Sequence, residues 1–213
     1  MSDTGSHAQN IETILFDVGG VLGTNGWDHT DRAGACRVFG LECEEFEVLH
    51  QEVFDAWERG DMTMDEYLDI VVFSQPRSFT RQSFRDFMFA QSVPHREMLD
   101  YAAALMATHR YTMMLMNNEA AELNAYRVRT FGLRPLFSAF LSSCYLGYRK
   151  PAGAFYDRAL AIAHVNPDTT VFIDDREENL VPVRERGVHT VHATGLAAVQ
   201  AGLAELGVIT FTQ

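Results

Sequence analysis

Short apolar runs alternate with helical patterns along most of this chain, and that alternation limits the possible folds more than any other feature. The runs typical of buried strands cover residues 11–18, 111–116, 139–144, 170–173 and 188–192. Helical patterns lie before and between the later runs, at residues 95–108, 119–131, 154–164 and 177–186. Repeated strand–helix units predict an α/β fold with a doubly wound, mostly parallel sheet that is covered on both faces.

One stretch interrupts the alternation with helical patterns and few strand signals. Its predicted helices cover residues 28–39, 42–59, 64–73 and 81–91. The sequence therefore predicts an all-helical cap, residues 25–93, inserted into a Rossmann-like core of residues 1–24 and 94–213. Because such sheets bind ligands beyond the carboxyl ends of their strands, we expect the cap to cover that edge.

The charge and the cysteine content exclude several classes of function. The net charge is −12, so DNA or RNA would be repelled and no nucleic-acid partner is expected. No segment has the unbroken apolar length of a membrane span, and the polar start MSDTGSHAQN lacks a secretory signal. Cys36, Cys43 and Cys144 are scattered and form no C-x-x-C pair, which indicates free thiols in a reducing compartment. We therefore expect a cytoplasmic protein.

Acidic residues follow two of the apolar runs. Asp17 stands at the end of the first run in FDVGGVL, and Asp174 and Asp175 end the run FIDD. Adjacent carboxylates repel unless a cation neutralises them, and Mg²⁺ prefers such oxygen ligands. Each acidic stretch taken alone is also typical of a turn or a helix cap. Their common place at one edge of one sheet favours a metal site.

Two further stretches supply groups that suit a phosphate. Asn117 and Asn118 follow a predicted strand in MNNE, where amides and backbone N–H groups can hold phosphate oxygens. Lys150, in RKP, would offset negative charge and keep Asp17 ionised beside its acidic neighbours. Asparagines after a strand are otherwise turn formers, and a loop lysine is otherwise solvated.

In this order, the four stretches resemble the motifs of the haloacid dehalogenase superfamily, whose members are mostly Mg²⁺-dependent phosphatases. The likeness covers nearly the whole chain and is greatest to the helical-cap branch that opens with Asp-x-Gly-Gly and includes sugar-phosphate phosphatases. The resemblance implies that Asp17 is the nucleophile that forms an aspartyl-phosphate. It implies that Mg²⁺ is held by Asp17, the Gly19 carbonyl, Asp174 and Asp175, and that phosphate is bound by Gly20, Asn117, Asn118 and Lys150.

The resemblance implies hydrolysis of a small phosphorylated metabolite, with two departures. Asn117 stands where the family usually has a Ser or Thr that contacts phosphate, and residue 19 differs as well. Many relatives carry a second Asp two residues after the nucleophile as the general acid and base, and Gly19 occupies that position here. General acid–base help is worth about 10²–10⁴-fold. We therefore expect a preference for an easily departing oxygen, as in a sugar 1-phosphate, unless Asp28, His29 or His95 supplies the proton.

Other readings stay open at this point. A metal-independent haloacid dehalogenase would direct Asp17 at a carbon, and a binding or scaffold protein would have lost turnover together with the second Asp. Transfer of the phosphoryl group to an acceptor other than water is a further outcome. Asn25, Trp27 and Trp57 are expected near the cap entrance, where substrates are selected, although core packing is the simpler role for Trp57.

Overall fold

The computed structural model describes residues 10–209 and contains a five-stranded parallel sheet. Its strands are β1 Thr13–Phe16, β2 Thr112–Asn117, β3 Ala139–Ser142, β4 Thr170–Asp174 and β5 His189–His192. Their spatial order is β3-β2-β1-β4-β5, and every pair of neighbours is parallel. The predicted α/β fold with a doubly wound sheet is confirmed. The chain turns from one side of β1 to the other at β4, which is where such sheets bind ligands.

Helices make up most of the remaining structure. They are α1 His29–Phe39, α2 Cys43–Glu58, α3 Met64–Val71, α4 Arg81–Ala90, α5 Arg96–Ala107, α6 Ala121–Thr130, α7 Ser143–Leu146, α8 Gly153–Ala163, α9 Glu177–Arg184 and α10 Leu196–Glu205. The first four lie between β1 and β2, at the position predicted for the inserted helices.

Alternating side chains of β1, β2 and β4 enter two different cores. Ile14 and Phe16 of β1 pack in a cluster that includes side chains of α5 and α10, whereas Leu15 packs with side chains of α8 and α9. This period of two, with apolar residues pointing to both faces, produces central strands that are buried on both faces. The helices therefore cover both faces of the sheet and leave its carboxyl edge for polar residues.

The inserted helices have an aromatic core of their own. Trp57 stacks on Tyr67 with ring centres 4.0 Å apart, and Trp27 meets Phe84 edge-on at 5.9 Å. Ala120 and Leu123 belong to the same cluster, so the start of α6 packs against the inserted helices. The boundaries predicted for the cap, at residues 24/25 and 93/94, stay a prediction.

Several element boundaries differ from the predictions for local reasons. The last predicted residues of the third strand form α7 instead, which is capped by Gly147 with a left-handed φ of 71°. Helix α9 continues only two residues beyond Pro182, because a proline inside a helix removes a backbone hydrogen bond. Helix α10 was not predicted, because its Ala-rich sequence has weak polar and apolar segregation.

Two sequence predictions concern the membrane and the chain start. Among the helices of residues 10–209, none combines the length and apolar character that a bilayer span requires. The start MSDTGSHAQN, on which the absence of a secretory signal was predicted, lies outside the described residues except for its last residue.

Candidate active site

Three carboxylates meet at the carboxyl edge of the sheet. Asp17 directly follows β1, and Asp174 ends the neighbouring strand β4, with Asp175 next in the chain. The Asp17 N–H donates to the Ile173 carbonyl at 2.9 Å, which joins the two strand ends. One oxygen from each carboxylate lies within 4.8 Å of the others. The structure thus brings together the acidic residues that the sequence placed 157 positions apart.

Lys150 lies between two of these carboxylates. Its Nζ is 3.0 Å from Asp17 Oδ1 and 2.5 Å from Asp174 Oδ2, and the residue is 2% exposed. The Asn118 side chain accepts from the Lys150 N–H and donates to the Lys150 carbonyl, both at 2.8 Å. Asn118 therefore positions the lysine loop, and its predicted phosphate contact stays a prediction.

Asp174 is fixed by bonds to both of its oxygens. The Asn179 amide lies 3.0 Å from Oδ1 and 3.1 Å from Oδ2, and the Arg176 N–H donates to Oδ1 at 2.9 Å. The side chain is completely buried. These bonds hold Asp174 in place beside Lys150 and the other two carboxylates.

Asp175 is the less constrained member of the cluster. Its buried Oδ1 has no hydrogen-bond partner among the described residues. Gly20 has a left-handed φ of 72°, and a Cβ at this position would overlap the Asp175 carboxylate. A glycine is thus required for both backbone conformation and space. A buried carboxylate oxygen without a partner, beside two further carboxylates, is a donor set that fits a hard divalent cation such as Mg²⁺.

Burial and mutual repulsion disfavour the charged forms of these carboxylates. Burial raises the pKa of Asp17 to about 8, and the charge of Asp174 adds to this, while Lys150 opposes it. Burial and Asp174 likewise raise the pKa of Asp175. Burial lowers the pKa of Lys150, but Asp17 and Asp174 outweigh that effect and raise it overall. One ammonium group therefore does not compensate the acidic cluster, and an added cation would.

Asn117 lies below the site, in a buried polar network. Its Nδ2 donates to Asn124 Oδ1 at 3.2 Å, and its Oδ1 accepts from the Ser142 hydroxyl at 2.8 Å. The residue is 1% exposed and is absent from the lining of the cavity described below, as far as residues 10–209 show. Its predicted phosphate contact stays a prediction, and these bonds assign its amide a bracing role between β2, β3 and α6.

A cavity of about 410 Å³ separates the acidic cluster from the inserted helices. Asp17, Gly19, Asn118 and Lys150 line its floor. Side chains of α1, α2 and the nearby loops also line the cavity. They include Asn25, Trp27, Arg32, His50, Phe54, Trp57, Glu58 and Arg149. The three residues expected near the cap entrance therefore border this cavity, although both tryptophans are largely buried in packing.

One wall of the cavity combines aromatic rings with charged groups. His50 stacks on Phe54 at 5.3 Å, and the Arg149 guanidinium lies 4.7 Å from the centre of the same phenyl ring. Arg149 also pairs with Glu58 at 2.6 Å. Burial lowers the pKa of His50 to about 4, so the imidazole is neutral at physiological pH. This wall offers flat surfaces and hydrogen-bonding groups to an organic substrate.

Sequence reasoning did not assign roles to two buried charged residues that line the same cavity. Arg127 Nη1 pairs with Glu119 Oε2 at 2.9 Å, and the Arg127 Nε donates to the Ser92 hydroxyl at 3.1 Å. Arg127 is 2% exposed and also donates to the Asn25 carbonyl. From the sequence alone, Arg127 is indistinguishable from an ordinary solvated arginine of a helix. Glu119, within the quoted MNNE stretch, carried the only signal that could have directed attention here.

The three residues considered as proton sources have ordinary structural partners. The Asp28 carboxylate accepts from the N–H groups of Thr30 at 2.8 Å and Asp31 at 3.1 Å, and so caps α1. The His29 side chain is 77% exposed, and His95 Nδ1 lies 3.0 Å from the Val21 carbonyl. Within residues 10–209 none of the three forms a hydrogen bond or ion pair with the acidic cluster, although Asp28 and His29 line the cavity above it.

Comparison with known proteins gives a consistent assignment. A family model described as haloacid dehalogenase-like hydrolase matches residues 11–182. Bifunctional epoxide hydrolase 2 of Rattus norvegicus is 31% identical over 144 residues, which are 66% of this chain and 25% of that protein. The chain thus spans about a quarter of the length of that relative.

Two further proteins resemble the chain over most of its length. The D-ribitol-5-phosphate phosphatase of Bacteroides thetaiotaomicron is 28% identical over 201 residues, which cover 84% of this chain and 90% of that protein. An enzyme structure from the same organism, solved with magnesium and inorganic phosphate, superimposes with a TM-score of 0.68 at 22% identity. The superposition covers 84% of this chain and 92% of the other, and it shows a common fold.

Proposed function

Because the chain belongs to the haloacid dehalogenase-like hydrolases, we propose that it is a Mg²⁺-dependent phosphatase that acts through an aspartyl-phosphate on Asp17. The observation that carries the proposal is the convergence of Asp17, Asp174 and Asp175 within 4.8 Å beside a buried lysine. The related D-ribitol-5-phosphate phosphatase supports phosphate ester hydrolysis as the reaction.

Each side chain has a chemical role in this proposal. Val18 N–H and Lys150 both bind Asp17 Oδ1, at 2.8 and 3.0 Å, so Oδ2 is the oxygen assigned to attack on phosphorus. Lys150 favours the ionised form of Asp17, which an added cation would favour further, and it neutralises phosphate oxygens. Asp17, Asp174, Asp175 and the Gly19 carbonyl would hold Mg²⁺. Bound there, the ion supplies neutralisation of the negative charge that collects as the phosphoryl group approaches carboxylates.

The cavity supports a small, polar phosphate ester as the substrate. Its volume, about 410 Å³, suits a metabolite rather than a polymer. Charged side chains such as Glu58 and Arg149 line it, so hydroxyl groups of a substrate would find hydrogen-bonding partners. We propose a phosphorylated sugar or polyol, with a sugar 1-phosphate favoured where the leaving oxygen receives no proton. Nucleic acids and membranes are not proposed as partners, because of the net charge of −12.

The cellular location is part of the proposal. Cys36, Cys43 and Cys144 are free thiols, and Cys36 is buried. Thiols without disulfide partners suit a reducing compartment. We propose the cytoplasm on this basis.

A metal-independent dehalogenase is less well supported by the same geometry. Its substrates are anions, and the carboxylates of Asp174 and Asp175 would repel a halogenated acid at Asp17 unless a cation were present. A binding or scaffold protein without turnover would not require the acidic cluster and the buried Lys150.

Phosphate release from a panel of sugar, polyol and aryl phosphates tests the proposal. We expect release with Mg²⁺, loss of release in EDTA, and loss in Asp17→Asn, because the amide cannot form an acyl phosphate. Asp100→Asn, which changes an exposed carboxylate of α5, serves as the matched control and should keep full activity.

The remaining outcomes of the panel decide between the alternatives. Full turnover by Asp17→Asn would refute the proposed mechanism. Halide release from 2-haloacids that persists in EDTA would support the dehalogenase instead. Binding of Mg²⁺ and inorganic phosphate without any hydrolysis would support the scaffold protein.

A further inference from the structure

Because residue 19 is a glycine, it has no side chain that could protonate the leaving oxygen of the substrate. When phosphate is transferred to Asp17, the leaving oxygen needs a proton unless it is a weak base. Gly19 lines the cavity next to Asp17 but has no side chain with which to donate one. Asp28 and His29 also line this cavity, but the Asp28 carboxylate caps α1 and the His29 side chain is largely exposed to solvent, and His95 is not among the lining residues that the structure describes. A different acid in the same cavity would complete the reaction.

The space beside Gly19 contains a buried ion pair. A Cβ placed on Gly19 would lie 3.1 Å from Asn25 Oδ1 and 3.7 Å from Arg127 Nη1. That guanidinium nitrogen is itself 2.9 Å from Glu119 Oε2. A single guanidinium group therefore separates the Glu119 carboxyl group from the place where a side chain of residue 19 would begin. Glu119, Arg127, Gly19 and Asp17 all line one cavity.

Glu119 is held at this place by its backbone and its side chain. Its N–H donates to the Ser143 hydroxyl at 2.9 Å, and its Oε1 accepts from the Ala120 N–H at 3.3 Å. The residue is 7% exposed. It stands between the end of β2 and the start of α6, next to the carboxyl edge of the sheet.

The surroundings of Glu119 allow both protonation states. Burial raises its pKa to about 7, the Glu58 charge adds to this, and Arg127 opposes it. The charged and titratable groups that face it are Arg127 on α6, Glu58 at the end of α2 and Cys144 on α7. Burial raises the pKa of the Cys144 thiol to about 12, so it stays neutral and does not compete for the proton.

We propose that Glu119 is the general acid and base of this enzyme, in place of a side chain at residue 19. Protonated Glu119 gives its proton to the leaving oxygen as the phosphorus–oxygen bond breaks and Asp17 forms the new bond to phosphorus. The Glu119 carboxylate then takes a proton from the water that attacks the aspartyl-phosphate. This attack releases inorganic phosphate and restores the Asp17 carboxylate and the neutral Glu119. Arg127 positions the carboxyl group. The inference rests on the proposed phosphatase activity.

A series of phenyl phosphates that differ in leaving-group basicity tests this role. Phenol has a pKa near that of tyrosine, about 10, and needs a proton, whereas p-nitrophenol is a much weaker base and needs little help. We expect Glu119→Gln to lower kcat/KM for phenyl phosphate by about 10²–10⁴-fold. The loss for p-nitrophenyl phosphate should be far smaller. The ratio kcat/KM is the correct quantity, because it reports the step in which the leaving oxygen departs.

Control variants separate proton transfer from structure. Glu119→Asp keeps a carboxyl group and should restore part of the activity on phenyl phosphate. Glu45→Gln changes an exposed carboxylate of α2 and should leave both substrates unaffected. In the wild type, kcat/KM for phenyl phosphate should fall as the pH rises above about 7, because Glu119 then loses its proton. Glu119→Gln should lack this fall.

The inference and the proposed function fail in different ways. An equal loss on both substrates, or no loss on either, would overturn the role of Glu119 while Asp17→Asn still abolished turnover. Persisting turnover by Asp17→Asn would instead overturn the phosphatase mechanism itself.

Discussion

At the scale of single residues, the charge state of Lys150 decides how the acidic cluster works. It is the only lysine among the 213 residues. The chain has 17 lysine and arginine residues in total, and the other 16 are arginines. A compact ammonium fits between Asp17 and Asp174, at 3.0 and 2.5 Å, where a planar guanidinium would require more space. Desolvation alone would neutralise a lysine that is 2% exposed. The two carboxylates reverse this and keep the charge in place.

A single lysine makes the charge directly measurable. Protein labelled with ¹⁵N only at lysine should give one Nζ signal, and we expect it to stay protonated above the ordinary lysine pKa of 10.5, because Asp17 and Asp174 raise the pKa of Lys150. The same pairing stabilises the fold below pH 10.5 and is lost as the pH rises through the higher folded value. A signal that titrates below 10.5 would contradict this account.

At the scale of secondary-structure elements, one tyrosine hydroxyl of α3 is shared by two buried groups, one of them on α2. The Trp27 indole donates to Tyr67 Oη at 3.0 Å, and this oxygen lies 2.9 Å from His50 Nδ1. Because the His50 ring is neutral at physiological pH, its Nδ1 can accept the proton of the tyrosine. The hydroxyl thus serves two buried groups that also line the cavity.

We expect Tyr67→Phe to lower the free energy of unfolding by about 1–3 kcal/mol, because the Trp27 and His50 nitrogens then lack a buried partner. Chemical denaturation measures this loss. Tyr145→Phe removes the hydroxyl of a side chain that is 60% exposed and should change the free energy little. Equal stabilities of the two variants would show that the shared hydroxyl does not stabilise the inserted helices.

Helices and strands were predictable from sequence where apolar residues recur with a clear period. The ends of these elements were less predictable where tertiary contacts set them. The run 139–144 has strand character, but β3 ends at Ser142 because the next serine turns into α7. The Ser143 hydroxyl donates to the Glu58 carbonyl at 2.6 Å and accepts from the Glu119 N–H. These partners are distant in sequence, so no local pattern marks them.

At the scale of the whole molecule, the fold explains why the acidic residues could be found from sequence and the Glu119–Arg127 pair could not. Parallel strands bring their carboxyl ends to one edge, so Asp17 and Asp174 must meet. The orientation of Arg127 depends instead on Asn25 and Ser92, which flank the inserted helices. Such a contact joins the end of the insertion to α6, and only the assembled structure reveals it.

The central claim is that Asp17 becomes covalently phosphorylated, and rapid acid quenching followed by peptide mass spectrometry tests it most directly. With p-nitrophenyl phosphate and Mg²⁺, we predict one phosphoryl group on the peptide that contains Asp17, formed within the first turnover. The group should be absent in EDTA and in Asp17→Asn. Phosphate release without any phosphoryl group on Asp17, or a phosphoryl group on Asp174 or Asp175 instead, would contradict the account.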